Sequence, residues 1–549
     1  DRGSDTLLLK NTSQPRLGFR VNKIYIDSYY MDPQTKKYPE ANRELMKQFN
    51  EGMLVFNYIG HNDPEVGFTG EGLFSRYEMD HLTNTRLPLF ITITCDYCQF
   101  DAEDVSAGEN VFLNPSAGAI ALITTTRVVY TDGNDKINQR LMKRLLERDS
   151  NGSPLRIGDV LKLAKRDFNT EIDKNKLNYV LIGDPALKLA YPEHSIQVTR
   201  INGNSGEKNI EMIPGKNYTV EGEIRSHQNE LLSDFNGYIY YNLYDKEKQF
   251  TTLAHQDKKT WTYTHRPDLL TTGKGTIQNG TFRITVALPI DNSHSGKSGL
   301  LNLYAYDESG REANGYTDKL IVSTVVEPIT EDIQGPDIEF AGINDDSFTE
   351  GILVNNPATF VCKFSDPSGI WSGNSLGKQM TLSLDGACIE ENVARYYKPI
   401  AESEIPEGEF IYPLPRLSNG LHTLTFKVFD TLGNSSEVTI AFEVKENRET
   451  YTISLEEEPA TERATISCQD QNGNDVTESK HTRISVTNTL GEEIWSYETT
   501  ENNLFPLTWN LQDNNGKRVS AGQYYCKGYF ETSAGTIVTP AKKIVVITQ

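Results

Sequence analysis

Two side chains able to do chemistry follow apolar runs. His61 comes after Met53-Leu-Val-Phe-Asn-Tyr-Ile-Gly60, and Cys95 after Pro88-Leu-Phe-Ile-Thr-Ile-Thr94. An imidazole beside a thiol can hold it as thiolate and later protonate a departing amine, the chemistry a cysteine nucleophile needs. Ligands of open α/β sheets bind beyond the carboxyl ends of strands, so a His and a Cys at two such ends can meet across a sequence gap. Gly60 leaves room beside His61 for a substrate backbone. Each residue alone also has a plain structural reading, a surface histidine and a small apolar thiol. The residue types leave both readings open.

Cys95-Asp-Tyr-Cys98 adds a second chemistry. A CxxC after a strand can be a redox dithiol, half a zinc site or a structural disulfide. Zinc lacks a second Cys/His pair nearby, and the stretch Gln99–Glu109 is too polar to read as the helix of a redox domain. Cys98 reads most simply as packing or as a neighbour of the nucleophile. The remaining cysteines (362, 388, 468 and 526) are scattered. The histidines at 81, 194, 227, 255, 265, 294, 422 and 481 show no ligand spacing. The acidic clusters 101–104, 344–346 and 456–458 read as solvated loops. Neither a metal nor a cofactor is expected.

The elements that must position His61 and Cys95 follow from hydrophobic period. Asn22–Tyr30 reads as a strand from its β-branched and aromatic content, and Ala41–Asn50 as a helix from Leu45, Met46 and Phe49. Met53–Ile59, Pro88–Thr94 and Gly118–Thr126 read as buried strands. Ile137, Leu141 and Leu145, then Ile157, Val160, Leu161 and Ala164, mark two amphipathic helices. Apolar strands alternating with helices imply a mostly parallel sheet covered on both faces. Beyond about Glu193 the texture changes to short alternating strands with turns such as Asp307–Gly310, Asp430–Gly433 and Asp513–Gly516, which read as β-sandwiches. Linker-like stretches at 327–337 and 445–450 divide that part into three modules.

Composition narrows the partners. The 549 residues carry a net charge of −22, with 54 Lys+Arg against 76 Asp+Glu, which argues against nucleic acid. The sequence contains no apolar run long enough to span a membrane as a helix. The chain opens Asp1-Arg2-Gly3-Ser4, without Met or an apolar signal region, and is expected to be a fragment or processed product.

Several ordered stretches resemble the gingipain-type cysteine peptidases, which have a caspase-like fold: Asn57–His61, Leu87–Cys95, Ser106–Glu109, Asn114–Ala121 and Asn178–Leu187. The resemblance implies that Cys95 is the nucleophile and His61 the general acid–base. It also implies an oxyanion hole from the backbone N–H groups of Asn62 and Cys95. The family usually has Gly where Asn62 stands, and the upstream strands of its domain are expected to lie before Asp1. Downstream, Cys362–Ile370, Leu382–Asp385, Trp509–Tyr524 and Lys543–Ile547 are similar to the sortase branch of the type IX secretion system. That implies cleavage of the C-terminal sorting domain from secreted cargo and its attachment to anionic lipopolysaccharide. It further implies docking to an outer-membrane β-barrel protein at the cell surface.

The fold expected is thus an α/β caspase-like domain (1–194, N-terminally truncated) followed by three immunoglobulin-like sandwich modules at 195–326, 327–448 and 449–549. The last of these, closing in the apolar strand Ala541–Thr548, is expected to be the docking module. A secreted gingipain-like endopeptidase and a non-catalytic surface scaffold are the alternatives.

Overall fold

The computed structural model describes residues 18–547 apart from 63–66, 69–72, 168–174, 256–258, 291–297, 326–331, 345–347, 349–352, 355, 374, 376, 391, 401–404, 445–450, 457–458, 471–472, 478, 503 and 533–534. The expected boundaries 326/327 and 448/449 lie outside the described residues. The chain divides into two compact units, residues 1–332 with 372–375 and 400–404, and residues 333–371, 376–399 and 405–549.

The first unit begins with a four-stranded sheet. Strands β1 (Val55–Ile59), β4 (Leu89–Ile93) and β5 (Ala121–Thr125) run parallel, and β6 (Tyr179–Ile182) closes the sheet antiparallel; the short pair β2 (Gly67–Phe68) and β3 (Phe74–Ser75) stands apart. Every residue of β4 and β5 is buried, as central strands covered on both faces require. The faces have separate cores. Phe56, Phe90 and Leu122 pack with Leu45 and Phe49 of the helix Pro39–Glu51 and with Val111. On the other side Leu89, Ile91 and Ile123 pack with Ile137 and Leu141 of the helix Thr131–Leu145 and with Val160 and Leu161 of the helix Ile157–Arg166.

Two differences from the sequence reading are local. The stretch 22–30 forms no strand; it carries a single 3-10 turn, Ile26–Ser28. Its apolar and aromatic residues are used as a brace instead. Lys23 Nζ donates to the Thr264 carbonyl at 2.7 Å, Tyr25 meets Tyr263 edge-on, and the Asp27 carboxylate accepts the N–H groups of Ala254 and His255. Two short helices, Arg76–Asp80 and Ala107–Leu113, open on capping boxes, Ser75 with Glu78 and Ser106 with Glu109. The S-x-x-E spacing is their sequence signal.

The rest of the first unit is a β module. Strands β7 (His194–Ile201), Asn217–Arg225, Thr281–Ala287, Leu269–Gln278, Gly237–Tyr244, Leu300–Asp307 and Glu312–Thr317 are hydrogen-bonded in that order, and the last pairs back to β7. Two of these seams are only two residue pairs long, Ile277↔Phe282 with Gln278↔Thr281 and Ala313↔His194 with Asn314↔Ser195, so two runs of strands joined at their corners enclose one core that includes Val220, Ile239, Leu243, Leu303 and Val286.

The second unit contains two cores, each between two sheets. Sheets of four and five strands enclose Phe360, Phe364, Phe410 and Phe426. Sheets of three and five enclose Ile466, Ile484, Trp509 and Phe530. The terminal strand Lys542–Val546 pairs with Gly522–Cys526, while Val545 O and Ile547 N hydrogen-bond Ala460 on its other edge. It is satisfied within its own module, so its apolar content is explained by packing and not by a free edge.

One loop recurs. In Asp149–Ser153, Asp307–Arg311, Asp430–Asn434, Asn488–Glu492 and Asp513–Lys517 the first side chain accepts backbone N–H groups two and four residues on. The fourth residue is always Gly, with φ from +82° to +91° in the first three and +81° to +85° in the last two. An Asx-capped turn ending in a left-handed glycine is a low-strain way to reverse a chain.

Candidate active site

Parallel pairing brings His61 and Cys95 to the same end of the sheet. β1 and β4 pair in register from Val55↔Leu89 to Ile59↔Ile93, so His61 and Cys95 each lie two residues past the last pair. Neighbouring strands lie roughly 4.8 Å apart, which sets the two loops side by side. Gly60 N–H donates to the Ile93 carbonyl at 3.4 Å, and Asn62 Nδ2 to the Cys95 carbonyl at 3.1 Å. Cys95 is half-buried, with Sγ 3.5 Å from the Val129 carbonyl, while His61 is exposed. Asp96 follows the thiol with φ +49°, so the chain turns sharply after Cys95.

Three rings brace these loops. Tyr58 stacks on Phe68 at 3.7 Å and Phe68 on Tyr97 at 4.9 Å. One end of the stack is thus the strand leading to His61, and the other the turn following Cys95. Tyr58 also donates its hydroxyl to the His61 carbonyl at 2.8 Å. Here the expected role of Gly60 is corrected. A Cβ at position 60 would lie 2.3 Å from the Tyr58 hydroxyl, so the room the glycine leaves is filled by Tyr58, not kept for a substrate.

Cys98 is fully buried beneath this turn, its N–H donated to the Thr125 carbonyl at 3.0 Å. Burial pushes its thiol up to about 11, with the Ser106 hydroxyl opposing. A thiol held protonated in a core is a poor dithiol partner, and the redox reading of Cys95–Cys98 loses its chemistry. Burial also pushes the Asp96 carboxyl up, with Arg127 opposing.

The backbone N–H groups of Asn62 and Cys95 donate to no acceptor among the described residues, and Asn62 Oδ1 is buried without a partner. Across from the thiol, the segment around Val129 is held by Asn178 Nδ2 on the Val128 carbonyl (2.9 Å) and Asn175 Oδ1 on Tyr130 N–H (3.0 Å). Val128 and Tyr130 are exposed on either side of it. The arrangement offers a thiol, an imidazole, free amide donors and an apolar ledge on one rim. Sequence reasoning picked out His61, Cys95 and Asn62 but missed Tyr58, Phe68, Tyr97 and Asp96. Tyr58 alone carried a signal, an aromatic three residues before the histidine on an alternating strand.

Residues 6–190 match the family model described as Peptidase family C25. No curated protein matches the chain. Among solved structures it is similar to dimeric latent PorU from Porphyromonas gingivalis, with 24% identity and a TM-score of 0.34 over 79% of this chain and 41% of that one. It is also similar to the complex of RgpB pro- and mature domains from the same organism (16% identity, TM-score 0.25, 51% and 57% covered). A third similarity is to the N-terminal Ig1-2 module of a Drosophila receptor protein tyrosine phosphatase, DLAR (11%, 0.22, 39% and 98%). The chain thus spans less than half the length of the PorU structure.

Proposed function

We propose that residues 6–190, which match the model of peptidase family C25, form a cysteine peptidase with Cys95 as the nucleophile and His61 as the general acid–base. The observation that carries this reading is the β1–β4 register, which sets the two side chains equally far past paired residues on neighbouring parallel strands.

The Cys95 thiolate attacks the scissile carbonyl carbon. The oxyanion formed accepts the N–H groups of Asn62 and Cys95, donors that are worth several kcal/mol when aimed at developing charge. Collapse breaks the C–N bond, and the amine leaves with a proton from the His61 imidazolium, giving a thioester on Cys95. His61 then takes a proton from the incoming nucleophile, which attacks the thioester and releases the thiol. With water the result is hydrolysis; with an amine it is transfer.

The finer reading follows the resemblance. The chain acts at the outer surface as a sortase, removing the C-terminal sorting domain of type IX cargo and joining the cargo to anionic lipopolysaccharide. It is arranged as domains 1–194, 195–326, 327–448 and 449–549, the last docked to an outer-membrane β-barrel protein. No described helix is long and apolar enough to cross a membrane.

Cys95→Ala is expected to abolish peptide cleavage and labelling by a peptidyl thiol-reactive probe with an unchanged melting temperature. His61→Ala is expected to lower the rate at least about 10²-fold. An active Cys95→Ala variant would remove the assignment.

A further inference from the structure

The first unit also holds a half-open cleft of about 420 Å³ that shares no residue with the His61–Cys95 site. This volume is within the range of small-ligand pockets. Its floor is the outer face of the paired strands Gly237–Tyr244 and Leu300–Asp307. Tyr240 lies opposite Tyr304 and Asn242 opposite Asn302 in the pairing of Gly237–Tyr244 with Leu300–Asp307. These residues alternate with the buried Ile239, Tyr241 and Leu243, so the pleat turns them away from the core and into the cleft. Arg20 stands at one wall, its guanidinium 5.2 Å from the centre of the Tyr244 ring.

Three features define what fits. Tyr304 offers a ring face and is 37% exposed, while Tyr240 stacks on Tyr306 at 6.1 Å with Lys274 Nζ 5.2 Å from its ring centre. The Asn242 and Asn302 carboxamides lie side by side, and neither hydrogen-bonds another protein group among the described residues. Each amide supplies donors and an acceptor together, which suits neighbouring hydroxyls that both give and accept. Arg20 has no carboxylate partner among the described residues, in a chain of net charge −22. Its planar fork of donors can take a pair of hydroxyls or a carboxylate.

A purely apolar ligand would leave the two amides unpaired, at a desolvation cost for each. A bare inorganic anion would leave the Tyr304 face unused. A ring with apolar C–H faces and a hydroxylated edge uses all three features. We propose that this cleft binds a short saccharide. The inference rests on the lining of the cleft and not on the peptidase reading.

The test is retention of the full chain on an array of oligosaccharides, one arm neutral and one bearing uronate or phosphate groups. The chain is used as wild type and as Cys95→Ala. Both are expected to bind the same glycans, on the neutral arm if Arg20 takes hydroxyls and on the acidic arm if it takes the charge. Asn242→Ala combined with Asn302→Ala is expected to weaken that binding at least about tenfold with an unchanged melting temperature. Tyr304→Ala, at a more exposed position, provides a second variant and is expected to do the same. No retention on either arm, retention equal in the variants, or displacement of the glycan by adenosine monophosphate at equal concentration would overturn the proposal. Loss of binding in Cys95→Ala would overturn its independence from the other site.

Discussion

At the scale of single residues, the two cysteines of one CxxC have opposite environments, and that difference is measurable. Cys95 sits half-buried at a loop rim, while Cys98 is enclosed and its thiol is pushed up to about 11. Iodoacetamide at pH 7.5 is expected to alkylate Cys95 in the native protein and to reach Cys98 only after unfolding. Mass spectrometry of the digested protein reads this directly, and native alkylation of Cys98 would contradict its burial. Cys98→Ala removes only a buried sulfur, so activity should be kept at a stability cost of about 1 kcal/mol. Tyr58 and Asn62 are positioning residues in this reading. Tyr58→Phe deletes the bond to the His61 carbonyl, and Asn62→Ala the bond to the Cys95 carbonyl, while sparing every backbone N–H. Each is expected to lower kcat several-fold with KM nearly unchanged, against the much larger loss in His61→Ala. A drop confined to KM would place these side chains on the substrate instead.

At the scale of elements, what was legible in the sequence is what a local period records. The strands carrying His61 and Cys95 are continuous apolar runs, and the helices Thr131–Leu145 and Ile157–Arg166 show their buried stripes. Three of the five Asx–Gly loops, those starting at Asp307, Asp430 and Asp513, were legible because one side chain and one glycine define them. The aromatic stack was not, because Phe68 belongs to a separate two-stranded pair that no period ties to Tyr58 or Tyr97. Neither was the strand order of the first β module, since it is set by long-range pairing. The stretch 22–30 misled for the same reason: its strand-like residues serve packing against another hairpin.

One element in the second unit makes a pH prediction. His422 is buried with Nδ1 2.7 Å from Asp385 Oδ2 and Nε2 2.8 Å from the Ser418 carbonyl. Burial alone would lower its pKa, but two acceptors facing both ring nitrogens raise it above the ordinary histidine value. Asp385 is held below the usual carboxylate range, first by the Thr423 N–H and also by His422. A raised histidine contributes its full stability below about pH 6.5 and loses it as pH rises through the folded-state value. The lowered carboxyl contributes above its unfolded pKa and fails only in acid. The melting temperature of the second unit is therefore expected to fall between pH 6 and pH 8.5. A drop of about 2–4 °C corresponds to a loss of about 1 kcal/mol in a unit of this size. Calorimetry of the wild type against His422→Gln isolates the effect, which should vanish in the variant; an equal pH slope in both would assign it elsewhere.

At the scale of the whole molecule, chemistry and retention are proposed to reside in different parts of the chain. His61, Cys95 and their bracing rings all fall within the first unit, and both cores bearing on the site close there. The last module has its own core of Ile466, Ile484, Trp509 and Phe530. Its terminal strand is paired on both edges, so docking through strand addition to that strand would first require unpairing it. A partner would instead meet side chains the module already exposes, such as Leu490 and Tyr497. Deleting residues 449–549 is then expected to release the protein from the cell surface while cleavage of a short peptide by Cys95 persists. Leu490→Asp should weaken retention without lowering the melting temperature, since that side chain is 64% exposed. Fractionation of cells expressing each form, with a peptidase assay on the released protein, separates the two roles. Retention unchanged by the deletion would move the docking surface out of the last module, and loss of peptide cleavage would show that the site needs it.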